Sequence, residues 1–501
     1  MAALLIPALV ASGVIWALRV EGSPEETADR YLAAWSAQDY AAMRALVADP
    51  PADFERLHRR FLTDLKATRA AFRPGEVSGG DVAFKAAVTG ARNWEYDGRL
   101  RVVERDRAWK VAWTPATLHP LLKKGLSLKV VAQKGDPVRV LAADGADLNN
   151  AGAPGSVQQL VEGMKQTFPD RFEELSRTRI DLYKGGERVR TVAEQQAGKE
   201  PIRTSIDLKV HRAGAEALEG TDKPASLVAL RASTGEILAA VNAPGGFNRA
   251  LLGKYPPGST FKVVTASALV ADGVEPGQQV TCPAEKNIGG FPFHNAGFKD
   301  YGTLSFRDAF AHSCNTTFGE MSVAELNGGR LGEVARSFGF GTAITPGVPA
   351  VRAEFPDPKD DTDLASASIG QGRVLASPLN MASVAAAIAS GSYIPPRLVT
   401  GEPVPGQQRA EPRPLEGGVV KALRRLMPAV VTDGTAHGVS FPAGTAGKTG
   451  TAEYGSGKEP PAHSWFIGYQ DDVAFSVIVE GGGAGSAVAA PIAARFLRAL
   501  P

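Results

Sequence analysis

The sequence predicts a multidomain α+β protein: an N-terminal membrane anchor, a small α+β domain, an irregular linker and a large domain of helices around an antiparallel sheet. Three observations predict it. At 501 residues the chain is too long for one ordinary domain, and length alone suggests about three. Residues 2–18 form an apolar run that ends at Arg19. From residue 201 onward, strand-like stretches come first and last with helix-like stretches between. That order joins the two ends of a domain in one antiparallel sheet.

Composition narrows the function classes. With 44% apolar and 22% charged residues the chain is globular rather than disordered. A formal net charge of +2 argues against nucleic acid as a general partner. Two cysteines, Cys282 and Cys314, exclude a disulfide-dense scaffold and offer no zinc-type spacing. Residues 443–449 resemble a phosphate loop, but Pro442 stands where its first glycine must be, so a nucleotide site is rejected. No metal or cofactor is expected.

The elements follow in order. The apolar run is at the short end of what spans a bilayer, roughly 17–25 residues, and is read as an uncleaved anchor over 1–19, with a cleaved signal as the alternative. No Lys or Arg precedes it, so the charge pattern gives no orientation. Residues 24–120 form the small α+β domain. Glu25–Ala37 carries Tyr31, Leu32 and Trp35 at helical spacing, a second helix covers Tyr40–Val47, and a third has Phe54, Leu57, Phe61, Leu62 and Leu65 on one face. Asp81–Gly90, Leu100–Val103 and the Trp109, Val111, Trp113 set alternate as half-buried strands do. The aromatic stripe reads as core rather than as a ligand box. Residues 121–200 are the linker, punctuated by Pro, Gly and Asn around one helix near Val157–Met164.

The large domain, 201–501, opens with a helix through His211–Leu218 and a hairpin of Leu227–Leu230 with Glu236–Val241. Helices dominate from Ser259 to Ala389. Strands return at Ala446–Glu453, Ser464–Tyr469 and Val473–Val479 before a last helix over Val488–Leu500. The stretch Tyr255-Pro256-Pro257-Gly258 stops what precedes it, and a helix apolar nearly all round starts at Ser259. Residues three apart on a helix share a face, so Ser259 and Lys262 can meet. A helix N-terminus and burial both favour the neutral form of Lys262, and a Ser beside a neutral amine is an activated nucleophile.

Alone, a Ser-x-x-Lys is more often a helix cap beside a solvated lysine. Two further stretches change the balance. Ser313-Cys314-Asn315 places a hydroxyl and an amide on a turn between helices, and Lys448-Thr449-Gly450-Thr451 opens a strand. Ser-x-x-Lys, Ser-x-Asn and Lys-Thr-Gly in this order are the set of penicillin-binding proteins and serine β-lactamases.

On these motifs the chain resembles a class B penicillin-binding protein. Phe247-Asn248-Arg249-Ala250, Ser368-Ile369-Gly370-Gln371-Gly372 with Ser377-Pro378-Leu379, and His463-Ser464-Trp465-Phe466-Ile467-Gly468-Tyr469 are similar to further family segments. The resemblance is specific from about Pro201 onward and implies a β-lactamase/transpeptidase-like fold there. The N-terminal helices and sheet resemble the nuclear-transport-factor-like domain of some class B members, and 121–200 the pedestal or dimerisation-like domain. In that region Val138–Gly145 replaces the charged pair of the family signature with alanines.

The resemblance implies a peptidoglycan D,D-transpeptidase that works through an acyl-serine and is the covalent target of β-lactams. Ser259 is then the nucleophile, Lys262 its base and Ser313 a proton relay. Asn315, Lys448, Thr449, Gly450 and Thr451 hold the substrate, and the N–H groups of Ser259 and Thr451 form the oxyanion hole. It implies stem peptides and β-lactams as ligands, with no cofactor. It also implies a single-pass membrane protein with an extracytoplasmic catalytic domain, and a membrane glycosyltransferase of the division or elongation machinery as a partner. A D,D-carboxypeptidase or β-lactamase on the same site, or a non-catalytic β-lactam receptor, are the alternatives. In an exported chain Cys282 and Cys314 are candidates for a disulfide, with a pair of buried thiols as the other possibility.

Overall fold

The computed structural model describes residues 22–135, 137–149, 155–173, 176–194, 199–405, 411–455 and 460–501. The expected membrane span lies outside them, and no helix among the described residues is long and apolar enough to cross a membrane. The chain divides into two compact units, Met1–Pro137 with Glu174–Gly198, and Val138–Glu173 with Lys199–Pro501. Residues 121–200 therefore contribute to both.

The first unit begins with three helices, α1 (Pro24–Ser36), α2 (Tyr40–Ala45) and α3 (Phe54–Asp64). Ser23 caps α1 by accepting from the Glu26 N–H, and Pro24 occupies its first turn, as helix starts favour. A four-stranded sheet follows in the order β1 (Ala67–Ser78), β2 (Asp81–Gly90), β3 (Trp94–Arg105), β4 (Ala108–Val111). The aromatic stripe is core. Trp35 is fully buried and stacks on Phe72 at 3.7 Å. His58 donates from Nδ1 to the Phe54 carbonyl, which leaves Nε2 to accept from the Tyr31 hydroxyl at 3.1 Å. Burial pulls this imidazole down to about 4, so it stays neutral. Strand β1 was not expected. Arg69, Arg73, Pro74 and Gly75 break its alternation, and only Ala70 and Phe72 of its residues are buried. Strands β5 (Leu126–Lys134), β6 (Ser176–Lys184) and β7 (Glu187–Glu194) make a second sheet of this unit, with β6 central.

The second unit contains α4 (Gly155–Thr167) and α5 (Leu208–Leu218), then the antiparallel sheet that the strand order predicted. Strands β8 (Ala225–Arg231) and β9 (Glu236–Ala243) meet the chain's last strands in a five-stranded sheet ordered β9-β8-β16-β15-β14. Here β14 is Ala446–Glu453, β15 is Ala462–Gln470 and β16 is Val473–Val479. The join is β8 to β16, with Ala225 opposite Val479 and Arg231 opposite Val473.

Helix α6 (Lys262–Ala271) is buried on all sides from Lys262 to Leu269, as its apolar composition dictates. Helices dominate 259–389 as expected, with one interruption. Four four-residue strands, β10 (Gln279–Cys282), β11 (Glu285–Ile288), β12 (Phe291–His294) and β13 (Gly302–Ser305), interrupt them as two antiparallel pairs. They are too short for an alternation to register, and Gly289-Gly290 supply the left-handed turn between β11 and β12. Helices α7 (Phe306–Ala311), α8 (Asn315–Glu325), α9 (Pro378–Ser390), α10 (Gly417–Thr432) and α11 (Ala489–Ala499) complete the framework used below.

Candidate active site

The nucleophile candidate sits on a tight 3-10 turn, Gly258–Phe261, and the α-helix proper starts at Lys262, one turn later than the sequence suggested. The preceding prolines leave few backbone donors, so the turn is held from outside. The Gly258 N–H donates to the Gly370 carbonyl at 2.9 Å, and the Trp465 indole donates to the Pro256 carbonyl at 3.1 Å. Gly370, at φ +73°, has no room for a side chain: a Cβ there would lie 2.1 Å from the Gly258 carbonyl oxygen. That accounts for the Ser368–Gly372 stretch, which straps the nucleophile turn. Arg249 and Tyr255, just before the turn, both donate to Glu480 Oε1 at 2.9 and 2.6 Å.

Ser259 is half-buried and borders a cleft of about 650 Å³. Lys262 is wholly buried behind it. Its Nζ meets the Ser313 carbonyl at 2.7 Å, Asn315 Oδ1 at 2.7 Å and Ser313 Oγ at 3.3 Å. Burial first, and the neighbouring Lys448 charge second, hold Lys262 well below its ordinary 10.5. A neutral amine has two hydrogens and one lone pair. The two short contacts are to obligate acceptors and use both hydrogens, so the lone pair is left to accept from the Ser313 hydroxyl. Lys262, Ser313 and Asn315 thus form one bonded unit. Ser259 borders the same cleft but is not among the hydrogen-bond partners of Lys262.

Ser313 adopts φ +61°, the left-handed region that a residue with a Cβ seldom occupies. In this conformation its carbonyl and its hydroxyl both reach the same lysine. The turn is fixed from two further directions. Cys314 is disulfide-bonded to Cys282, across 32 residues of sequence, with Cα atoms 6.0 Å apart. Buried Asn295 accepts from the Asn315 N–H at 2.8 Å and donates to the carbonyls of Pro283 and Lys299. Asn315 Nδ2 donates one hydrogen to the His294 carbonyl at 2.9 Å, which leaves its other hydrogen for a ligand.

Strand β14 forms the facing wall. Its alternation turns Thr449, Thr451 and Glu453 to the cleft, while Lys448 is fully buried on the other side. Lys448 Nζ donates to the Thr449 carbonyl at 3.1 Å and lies 5.6 Å from the Phe310 ring centre. Burial brings it down to about 7. It therefore acts on the cleft through its field, not as a cleft-lining contact. Gly450 also differs from its expected use. A Cβ there would meet Thr260 Cγ2 at 2.8 Å and the Pro257 carbonyl oxygen at 3.0 Å, so its bareness admits the nucleophile turn rather than a substrate. Sequence reasoning missed Thr435, whose hydroxyl is 2.6 Å from that of Thr449 and which borders the same cleft. It missed Asn295 as well. Neither belongs to a motif with its own spacing.

Residues 225–498 match the model of the penicillin-binding protein transpeptidase domain, and residues 23–126 that of the NTF2-like N-terminal transpeptidase domain. The peptidoglycan D,D-transpeptidase PbpA of Mycolicibacterium smegmatis is 33% identical over 368 residues, covering 60% of this chain and 74% of that protein. The ceftriaxone acyl-enzyme complex of penicillin-binding protein A from M. tuberculosis superposes with a TM-score of 0.56 at 29% identity, covering 61% of this chain and 81% of that one. A peptidoglycan synthase complex that coordinates polymerisation and crosslinking contains a chain 30% identical with a TM-score of 0.59, covering 68% and 69%. With the transpeptidase-domain model matching more than half of its length, this chain belongs to the penicillin-binding protein transpeptidase family.

Proposed function

We infer that this protein is a serine-type peptidoglycan D,D-transpeptidase, cross-linking stem peptides through an ester on Ser259 and captured by β-lactams at the same atom. The observation that carries the reading is the wholly buried Lys262, its charged form disfavoured by burial, tied to Ser313 and Asn315 beside a cleft-facing serine. Ser259 Oγ attacks the carbonyl carbon of the penultimate D-Ala, and its proton passes to the Lys262 lone pair, which the Ser313 hydroxyl gives up as the substrate binds. The N–H groups of Ser259 and Thr451 take the developing oxyanion; one such donor is worth about 3–4 kcal/mol. Ser313 delivers the proton to the departing D-Ala nitrogen. An amine from a neighbouring stem then attacks the ester and regenerates Ser259. Thr449, aligned by Thr435 and favoured by the field of Lys448, binds the terminal carboxylate, and Asn315 holds the donor's amide.

The apolar 2–18 run would anchor the chain, with 24–120 as the NTF2-like domain, 121–200 as pedestal and 201–501 as catalytic domain outside the membrane. The related chain belongs to a peptidoglycan synthase complex that coordinates polymerisation with crosslinking, and by that likeness the partner here would be a polymerising enzyme, a membrane glycosyltransferase. The test is covalent labelling by a fluorescent penicillin. Wild type is expected to carry one adduct that survives for many minutes to hours, Ser259→Ala none, and Lys262→Ala an adduct formed orders of magnitude more slowly. Equal labelling of Ser259→Ala would remove the assignment. Rapid release of many equivalents of hydrolysed penicillin would move it to a hydrolase.

A further inference from the structure

Thr449 and Thr451 share their face of β14 with Glu453, the one acidic residue that borders the cleft among the described residues. Its carboxylate is exposed, and no ion pair or hydrogen bond occupies it among the described residues. The two imidazoles that border the cleft already have ring partners, His294 on Phe298 at 4.3 Å and His312 on Tyr301 at 4.5 Å. Glu453 therefore presents a carboxylate without a partner, among the described residues, to substrate space.

Register says which part of the substrate it faces. An extended peptide lying antiparallel to β14 advances about 3.3 Å per residue, as the strand does. With the terminal carboxylate at Thr449 and the scissile carbonyl at the Thr451 N–H, the peptide continues toward Glu453 in its N-terminal direction. The residue before the penultimate D-Ala, the third of the stem, then lies level with Glu453. A side chain there that ends in an ammonium would meet an exposed carboxylate on the cleft wall, where an ion pair with a charge-assisted hydrogen bond adds a modest preference. The other use of a carboxylate is to activate water on the acyl-serine. Glu453 lies two strand residues beyond Thr451, about 6.7 Å along the strand, whereas a general base acts within hydrogen-bond reach of the proton it removes or through one water.

We propose that Glu453 is a specificity residue for the donor strand, pairing with the side-chain ammonium of a diamino acid at the third stem position. This rests on the acyl-serine reading, with Thr449 as the carboxylate site.

The experiment uses two penicillins with one acyl frame, the first ending in a primary ammonium where the third stem side chain would lie, the second acetylated at that nitrogen. Acylation rates are read by intact mass for wild type, Glu453→Gln and Glu453→Lys. The ratio of the two rates is taken within each protein, so any general loss of reactivity cancels. Wild type is expected to favour the ammonium compound about three- to tenfold, Glu453→Gln to lose the preference and Glu453→Lys to reverse it.

A preference that survives in Glu453→Gln overturns the assignment. A second arm transfers an acyl group from a neutral thioester to amine acceptors with and without a further ammonium. If Glu453→Gln alters discrimination there and leaves the penicillin ratio alone, the donor assignment falls in favour of the acceptor. If Glu453→Gln slows release of hydrolysed penicillin, the residue is a base for water. Benzylpenicillin separates the two levels. A wild type that takes no adduct on Ser259 fails the acyl-serine reading and this assignment with it, whereas adduct formation with an unmoved ratio fails this assignment alone.

Discussion

Replacing Lys448 with methionine should make the protein more stable at neutral pH while sharply lowering its activity. The side chain is fully buried, and burial lowers the ammonium from its ordinary 10.5 to about 7. At 1.36 kcal/mol per pKa unit, the full displacement corresponds to roughly 5 kcal/mol of penalty on the charged form. The folded pKa is depressed, so between about 7 and 10.5 the unfolded chain binds more protons than the folded one. Wild-type stability therefore rises with pH through that window, and the penalty is complete below it. At pH 7, where the folded lysine is about half charged, roughly 4 kcal/mol of it acts.

Methionine has similar volume and no charge. It forfeits the bond to the Thr449 carbonyl, which costs about 1 kcal/mol. The expected net gain is about 3 kcal/mol at pH 7, or about 6–10 °C in the catalytic unit's midpoint, shrinking toward zero near pH 10.5. Calorimetry at several pH values reads this, following the transition that penicillin acylation displaces in wild type. The charge of Lys448 also helps to depress Lys262. Residual acylation in Lys448→Met should accordingly show its acid limb at higher pH than wild type. Equal midpoints for the two proteins from pH 7 to 10 would refute the reasoning, because a buried ammonium cannot be neutral in its energetic effect.

Two further predictions concern the walls of the cleft. Cys282→Ala with Cys314→Ala should lower stability by about 4 kcal/mol in the chain-entropy account of a 32-residue loop, read by urea unfolding. It should also slow penicillin acylation, because the left-handed Ser313 loses a brace; two free thiols titrated in unreduced wild type would contradict it. Thr435→Val leaves the Thr449 hydroxyl without its 2.6 Å partner. It should weaken binding of carboxylate-bearing donors by about three- to tenfold, near the value of one hydrogen bond, with the melting midpoint within a degree or two of wild type; an unchanged KM would remove Thr435 from the site.

Much of this was legible in the sequence, for a physical reason. Where a motif is local, the backbone fixes its geometry: residues three apart on one turn place Lys262 behind Ser259, and a two-residue period turns Thr449 and Thr451 the same way. Where a contact is long-range, residue types alone do not find it. Asn295 reaches the Ser313 turn from a 3-10 loop, Thr435 reaches Thr449 from beyond α10, and Gly370 owes its bareness to Gly258, more than a hundred residues away in sequence. Gly450 is a further case: that its missing side chain makes room for Pro257 and Thr260 of the nucleophile turn is a tertiary fact. The short strands β10–β13 escaped because four residues carry too little pattern.

The arrangement has one consequence for how such a site can be built. Two fully buried lysines and a left-handed serine each cost stability, and none of them repays it through packing. The sources of support lie around them. The sheet joins segments far apart in sequence, β8 to β16, and its edge strand β14, which carries Lys448, is paired along its whole length with β15. The disulfide and Asn295 hold the Ser313 turn, and Gly370 with Trp465 holds the turn of Ser259. Each strained element is thus tied by at least two independent contacts to structure that is not strained. A site of this kind should answer the loss of one tie by slowing, because burial, the larger cause of the depressed Lys262, stays in place.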